Sequence, residues 1–171
     1  WGIVPNLDYL NYRDAQRPTG TAARVEQFGM QVWYRASPVP FERWGFLNEE
    51  MTPRVRRFDP PVVYSGELRI TLDPEGRLLA LDAIPPQKID AAPASDVDWL
   101  PLFKAAGLDP AEWTSANPQW TPQFFADRQF AWVPQDPSAM VPLRVEAASF
   151  QGKPFSFQLI YPWSNPYFMT G

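Results

Sequence analysis

The sequence predicts a strand-rich α+β protein built from two similar lobes, each a short helix packed on a small antiparallel sheet. Apolar residues at helical spacing occur in two short stretches, residues 6–16 and 98–107. Alternating residues that turn at a Gly and return to a proline occur in residues 67–86 and again in residues 142–163. Because helix, strand and hairpin recur in one order, we expect a tandem duplication of αβββ type.

Length and composition favour short elements. A chain of 171 residues is enough for one domain or two small lobes. Its 21 prolines shorten helices and strands, since proline fixes φ and lacks a backbone N–H. Residues 87–97 are rich in Pro, Ala and Asp and have little to bury. They are the predicted linker between a first lobe, residues 1–86, and a second lobe, residues 98–171.

The first lobe begins with a helix that Asn6 caps. β-forming residues that stop at a proline predict a strand over residues 30–38, and residues 39–61 are irregular. A hairpin follows, from residues 62–72 to residues 77–84. Its Asp-Pro-Glu-Gly turn predicts a type I turn and a three-residue loop that ends in a left-handed Gly76.

The second lobe repeats this plan. Asp98 is the predicted cap of a helix that Gly107 stops, and residues 128–135 predict a strand. In the hairpin of residues 142–163, the alternation predicts one buried face, covered by the helix, and one wet face. We expect the three-residue loop Phe150-Gln151-Gly152 and the pairs Ala147–Phe155, Val145–Phe157 and Leu143–Leu159.

The two hairpins correspond residue by residue. The return strands align at an offset of 76 residues, which equates Gly76 with Gly152 and Leu81 with Phe157. The outgoing strands fit better at 75, with Leu68 against Leu143. A shift of one residue inverts the faces of a strand, so we expect a bulge or a different loop in one copy.

Much catalytic chemistry is excluded by composition. With no Cys and no His, there is no thiolate, no imidazole base and no metal ligand of either type. No phosphate-binding glycine loop or hydrolase elbow occurs, and we expect no cofactor. Carboxylates could still serve a hydrolase as an acid and base pair. The candidates are Asp8 with Asp14, Glu49 with Glu50, and Asp96 with Asp98.

The charge balance argues against nucleic acid as a partner. The net charge is −4, and the only dense basic run is Arg54-Val55-Arg56-Arg57. Short charge runs usually solvate a surface, so we interpret this run as a solvated loop beside Glu49, Glu50 and Asp59.

Aromatic side chains are the other candidates for a site. Aromatics beside prolines form rigid contact surfaces, although they also cap small β cores. A site is expected in the irregular stretches, residues 39–61 and 109–125. The candidate interaction surface consists of Trp113, Trp120, Phe124, Phe125, Trp163 and Tyr167.

Several stretches resemble a known family. They are FGMQVWYRASP, GELRITLDPEGRLLALDAIPPQ, DWLPLFKAAGLDPAEWTSANPQWTPQFFADRQFAWVPQ and PLRVEAASFQGKPFSFQLIYPW. They resemble the non-kinase region of large membrane-bound bacterial serine/threonine protein kinases. The resemblance covers most of the chain from about Leu7 and is most specific over residues 98–120. It implies an extracytoplasmic region tethered to the membrane by flanking segments, and it assigns no catalytic residue.

The resemblance and the residues together lead to one expected function and two alternatives. The chain has no kinase motif, so it is expected to be a non-catalytic sensor or interaction region that binds a small ligand, a peptide or a partner domain. The alternatives are a structural spacer and a carboxylate-dependent hydrolase.

Overall fold

A computed structural model shows one antiparallel sheet of eight strands in the order β1-β2-β3-β4-β8-β7-β6-β5. The structure describes residues 1–16, 26–41, 55–88, 96–136, 138, 142 and 144–166. The chain mixes helix and strand and is mostly sheet, so the predicted α+β class is confirmed only in part. The sheets expected for the two lobes are joined, because β4 pairs with β8.

The elements are short, as the prolines predict. The strands are β1 (Gly2–Pro5), β2 (Met30–Ala36), β3 (Leu68–Leu72), β4 (Leu78–Ala83), β5 (Trp113–Ala116), β6 (Arg128–Pro134), β7 (Arg144–Phe150) and β8 (Lys153–Ile160). The helices are α1 (Leu7–Ala15), α2 (Glu26–Gly29) and α3 (Leu100–Ala105), and a 3-10 turn spans Pro110–Glu112.

Helix α1 begins where the sequence predicts, and α3 begins one residue later than predicted, with Trp99 in place of Asp98 as its N-cap. The Tyr9 N–H donates to Asn6 Oδ1 at 3.3 Å, which confirms the cap of α1. At α3 the Leu100 N–H donates to Asp98 Oδ1 at 2.9 Å. Gly107 has a φ of +71°, so it ends α3 in the left-handed conformation that favours glycine.

The two halves of the sheet meet at its centre, where β4 pairs antiparallel with β8. Leu81 lies opposite Phe157 where β4 meets β8, and these are the two residues that the 76-residue offset equates. Each hairpin also contains a bulge. The pairing skips Leu79 in β4 and Phe155 in β8, and the 76-residue offset equates these two residues as well. The two halves therefore share strand order and bulge position about this pair.

The first turn is as predicted and the second is not. The Gly76 N–H donates to the Asp73 carbonyl at 3.0 Å, and Gly76 has a φ of +84°. In the second hairpin Phe150 pairs with Lys153, which leaves a two-residue loop of Gln151 and Gly152, both at positive φ.

The shorter second loop changes the predicted pairing by two residues without changing the faces. Ala147 lies opposite Phe157, and Val145 lies opposite Leu159. The bulge at Phe155 compensates for the one-residue difference in loop length, so the apolar side chains of β7 and β8 still lie on the same face of the sheet. Ile70 lies opposite Leu81, and Ala147 lies opposite Phe157, so Ile70 and Ala147 are equivalent positions. The outgoing strands therefore correspond at an offset of 77 residues, and the predicted offset of 75 is wrong.

The outer strands break the repeat. β1 precedes α1 and β5 follows α3, so the halves are β-α-α-β-β-β and α-β-β-β-β. Neither outer strand was predicted, because each has only four residues and lies beside a proline or a polar stretch. β3 begins at Leu68, later than the predicted residue 62, because the buried Glu67 accepts hydrogen bonds from the Val63 and Tyr64 N–H groups.

One face of the sheet, the helix face, carries the core. Phe157 is fully buried there, and its ring meets Phe103 of α3 edge-on at 5.7 Å between centroids. Trp99, Val145 and Leu159 belong to the same buried cluster. The predicted cover of this face by the second helix is confirmed.

The opposite face, the loop face, is covered by irregular segments. In the second half the Gln119 N–H donates to Glu146 Oε1 at 3.1 Å, and Trp120 and Pro122 lie beside Ala148. Glu146 and Ala148 are buried in consequence. The expectation of a wet face is therefore wrong for β7, because the segment after β5 folds back over it.

Candidate functional site

A cleft of about 370 Å³ opens on the loop face beside the start of α1. Its floor comes from three neighbouring strands, through Gln31 of β2, Thr71 of β3 and Ala80 of β4, and from Gln158 of β8. The side chains around the floor belong to the start of α1, to α2, to the segments before β3 and after β8, and to strands β2, β4 and β8. They are Asn6, Leu7, Asp8, Phe28, Met30, Arg57, Leu79, Leu159, Tyr161, Trp163, Ser164 and Asn165.

Arg57 is the cation of this cleft. Its Nη1 donates to Gln31 Oε1 at 2.9 Å, and its Nη2 donates to Thr71 Oγ1 at 3.1 Å. Its Nε is buried and has no hydrogen-bond partner among the residues that the structure describes. In the described part of the chain no carboxylate lies within salt-bridge distance of Arg57, although an arginine of low exposure is usually paired with an acid.

The surroundings of Arg57 disfavour its charge. Burial lowers the pKa of Arg57, and repulsion from Arg69 adds to the effect, while Asp82 and Asp8 oppose it. Both guanidinium groups also lie over the Phe58 ring, at 5.0 Å for Arg57 and 4.9 Å for Arg69. A guanidinium stays protonated in proteins, so the cleft holds a fixed positive charge with neutral acceptors.

This placement corrects the interpretation of the basic run as a solvated loop. Arg56 is exposed, as that interpretation requires, but Arg57 reaches across the sheet to two strands. Arg54, Glu49 and Glu50 lie outside the described residues. The sequence did contain one signal for Arg57, because it falls within the irregular stretch 39–61 where a site was expected.

Four aromatic rings form one wall of the cleft and its support. Trp163 stacks on Tyr161 with 4.8 Å between centroids, and it also contacts Tyr9 of α1 and Phe28 of α2. Burial raises the pKa of the Tyr161 phenol, and the nearby Asp73 raises it further. The Tyr161 phenol therefore stays neutral across the physiological pH range.

Asp8 is the acidic residue among those that line the described cleft. Asn165 Nδ2 donates to Asp8 Oδ1 at 3.3 Å, which links the segment after β8 to α1. Of the other predicted carboxylates, Asp14 pairs with Arg13 and Asp96 pairs with Arg128, while Asp98 is engaged at the start of α3. The described members of these pairs do not meet in the cleft.

A second, apolar hollow of about 290 Å³ lies between Phe41, Tyr64 and prolines 40, 60 and 61. Beneath it Arg35 and Glu67 form an ion pair at 3.4 Å, with side chains only 1% and 3% exposed. Arg35 Nη1 also donates to the Arg56 carbonyl at 3.1 Å. The pair thus holds the segment that presents Arg57 to the cleft.

The structure disperses the six predicted aromatic residues. Trp163 lines the cleft, whereas Trp113 is buried in the core against Phe103, and Tyr167 lies outside the described residues. Trp120 and Phe124 are half-buried in the segment over the second half. Phe125 is 76% exposed and touches the Phe150 ring edge-on. Ring contacts in the described part of the chain join Trp163 to none of the others.

A small hollow of about 20 Å³ lies on the other side of the central pair. Ala148 and Ser156 line it, and these correspond to Thr71 and Ala80 of the cleft. Trp120 and Pro122 fill this place in the second half. The two sites are therefore counterparts, one large and one small.

Three further observations bound the site. The described residues contain no group of three or more acidic side chains that could hold a metal ion. Within those same ranges no helix has the length and apolar character needed to cross a bilayer. Comparisons with protein-family models, with curated proteins and with solved structures found no match.

Proposed function

We propose that the chain is a non-catalytic extracytoplasmic sensor or interaction region of a membrane-bound bacterial serine/threonine protein kinase, and that the cleft is its ligand site. The kinase context rests on the sequence resemblance given above. The ligand site rests on one observation, which is that Arg57 lies in the cleft held by two neutral acceptors, beside an aromatic wall. A few convergent polar groups beside aromatic side chains in a concave recess are typical of small-ligand sites.

The size of the cleft supports a small ligand. Pockets for small molecules span roughly 300–1,000 Å³, so a cleft of about 370 Å³ is at the low end. Neutral amides line it from both halves of the sheet, through Gln31 and Gln158. A ligand bound here would bridge β2 of the first half and β8 of the second.

We also propose that the chain arose by tandem duplication. Three features support this: the equated pair of Leu81 and Phe157 at the centre, the equated bulges at Leu79 and Phe155, and the same order of the inner strands in both halves. Under this proposal the cleft and the small hollow descend from one site.

The experiment is a thermal-shift screen of the purified chain against muropeptides, oligosaccharides and short peptides. A ligand that raises the melting temperature of the wild-type chain should lose its effect in Trp163→Ala and keep it in Phe125→Ala. Phe125 is a matched control because it is an exposed aromatic with no contact to the cleft. Uniformly null results with the complete set would favour the structural spacer instead.

A further inference from the structure

We propose that the cleft binds the free carboxylate of an amino acid or short peptide at Arg57, with the ammonium group of the same ligand toward Asp8. This inference rests on the proposed function, because it names the ligand class for the same cleft.

The carboxylate follows from the unused donors of Arg57. A guanidinium has five N–H donors, and among the described residues Gln31 and Thr71 accept from two of them, which leaves three for a ligand. The Nε–H is one of them and is buried. A carboxylate is the partner that matches the planar fork of a guanidinium, through two parallel hydrogen bonds. Neutral ligands would leave the desolvated charge without compensation.

The geometry of Arg57 is fixed before a ligand arrives. Gln31 and Thr71 lie on adjacent strands and hold Nη1 and Nη2 from the sheet side. The backbone on the N-terminal side is held by the bond from Arg35 to the Arg56 carbonyl. A side chain that is already ordered loses little entropy on binding, which favours affinity.

The ammonium follows from Asp8. An anionic ligand without a cation would place its charge in a cleft that Asp8 already makes negative on one side. A zwitterion avoids this cost, because it presents opposite charges to Arg57 and to Asp8. The aromatic wall at Trp163 and Phe28 then suits a large apolar side chain.

The test is calorimetric titration with three probes: L-phenylalanine, N-acetyl-L-phenylalanine and L-phenylalaninamide. The wild-type chain should bind phenylalanine more tightly than the amide by at least about tenfold, since the amide lacks the carboxylate. Arg57→Gln should lose at least about tenfold for phenylalanine. The wild-type chain should also bind phenylalanine more tightly than its N-acetyl form, which lacks the ammonium group. Asp8→Asn should abolish this preference.

The matched control is Arg56→Gln, which removes an exposed charge of the same sign one residue away and should leave binding unchanged. Near-ultraviolet circular dichroism checks the fold of each variant. If Arg57→Gln does not fold, the comparison of phenylalanine with its amide on the wild-type chain decides the question alone. Equal affinity for these two probes overturns the carboxylate site.

The outcomes separate this inference from the proposed function. A binder from the broader screen that depends on Trp163 and is indifferent to Arg57→Gln leaves the sensor proposal standing and overturns the carboxylate site. A screen in which no member binds, phenylalanine included, overturns both. Binding of phenylalanine that is lost in Arg57→Gln and kept in Arg56→Gln supports both.

Discussion

Replacing Glu67 by Gln should destabilise the fold more than any substitution of an exposed acid. Glu67 Oε2 lies 3.4 Å from Arg35 Nη2, and Oε1 accepts from the Val63 and Tyr64 N–H groups at 3.1 and 2.9 Å. A Gln can keep the two backbone bonds through its own oxygen. Its amide nitrogen, however, would face the guanidinium as a second donor, so the buried Arg35 charge would lose its counterion.

The expected cost is about 3 kcal/mol, the low end of the range for breaking a buried pair. The low end applies because Arg35 would keep the Arg56 carbonyl and the Phe41 ring, whose centroid lies 4.8 Å from the guanidinium carbon. For a chain of this length about 3 kcal/mol corresponds to a fall of about 6–12 °C in Tm.

Urea unfolding followed by tryptophan fluorescence measures the effect. Glu75→Gln is the control, since Glu75 is 53% exposed in its pair with Arg77 and should cost under about 0.5 kcal/mol. The double variant Arg35→Met with Glu67→Gln should be more stable than Glu67→Gln alone, because no orphaned charge remains. A Glu67→Gln variant within about 1 kcal/mol of the wild-type chain would refute the reasoning.

Three further predictions concern the wall, the second turn and the core. Tyr161→Phe should reduce the loss of stability at high pH. The raised pKa keeps the phenol protonated in the folded state, whereas the phenol of the unfolded chain ionises above about pH 10, so the stability that Tyr161 contributes is present below that pH and is lost above it. Urea midpoints of the variant and the wild-type chain at about pH 9 and about pH 11 measure this difference. Gln151→Asn should raise the free energy of unfolding by about 0.5–1 kcal/mol, because Gln151 has a φ of +50° and Asn tolerates that conformation, whereas Gln151→Val should lower it. Phe157→Ala should cost about 3–5 kcal/mol in urea unfolding, and Phe125→Ala under about 1, since Phe157 is fully buried and Phe125 is exposed.

The sequence predicts the parts of the fold that depend on local chemistry. The cap at Asn6, the stop at Gly107 and the turn at Gly76 follow from single residues with strong conformational preferences. The register of the second hairpin needed knowledge of the bulge at Phe155, which alternation alone does not reveal. The joining of β4 to β8 is a contact between distant segments, and no local pattern specifies it.

The site was harder to predict for a related reason. Trp163 was a candidate because aromatic residues beside prolines are visible in the sequence, and it does line the cleft. Arg57 looked like part of a solvated run, since the partners that hold it, Gln31 and Thr71, come from strands 26 and 14 residues away. Polar residues such as these take on a role only when the sheet brings them together, so composition and spacing carry little sign of them.

The difference between the two halves explains where the site lies. At corresponding places on the loop face, one half has a cleft of about 370 Å³ and the other a hollow of about 20 Å³. The inner strands supply similar floors, so the strands do not cause the difference. The covering segments do, because one brings Arg57 over Thr71 while the other brings Trp120 against Glu146 and Ala148. Under the duplication proposal the repeated hairpins are the shared scaffold, and the irregular segments between them decide which copy has the larger cleft that holds Arg57.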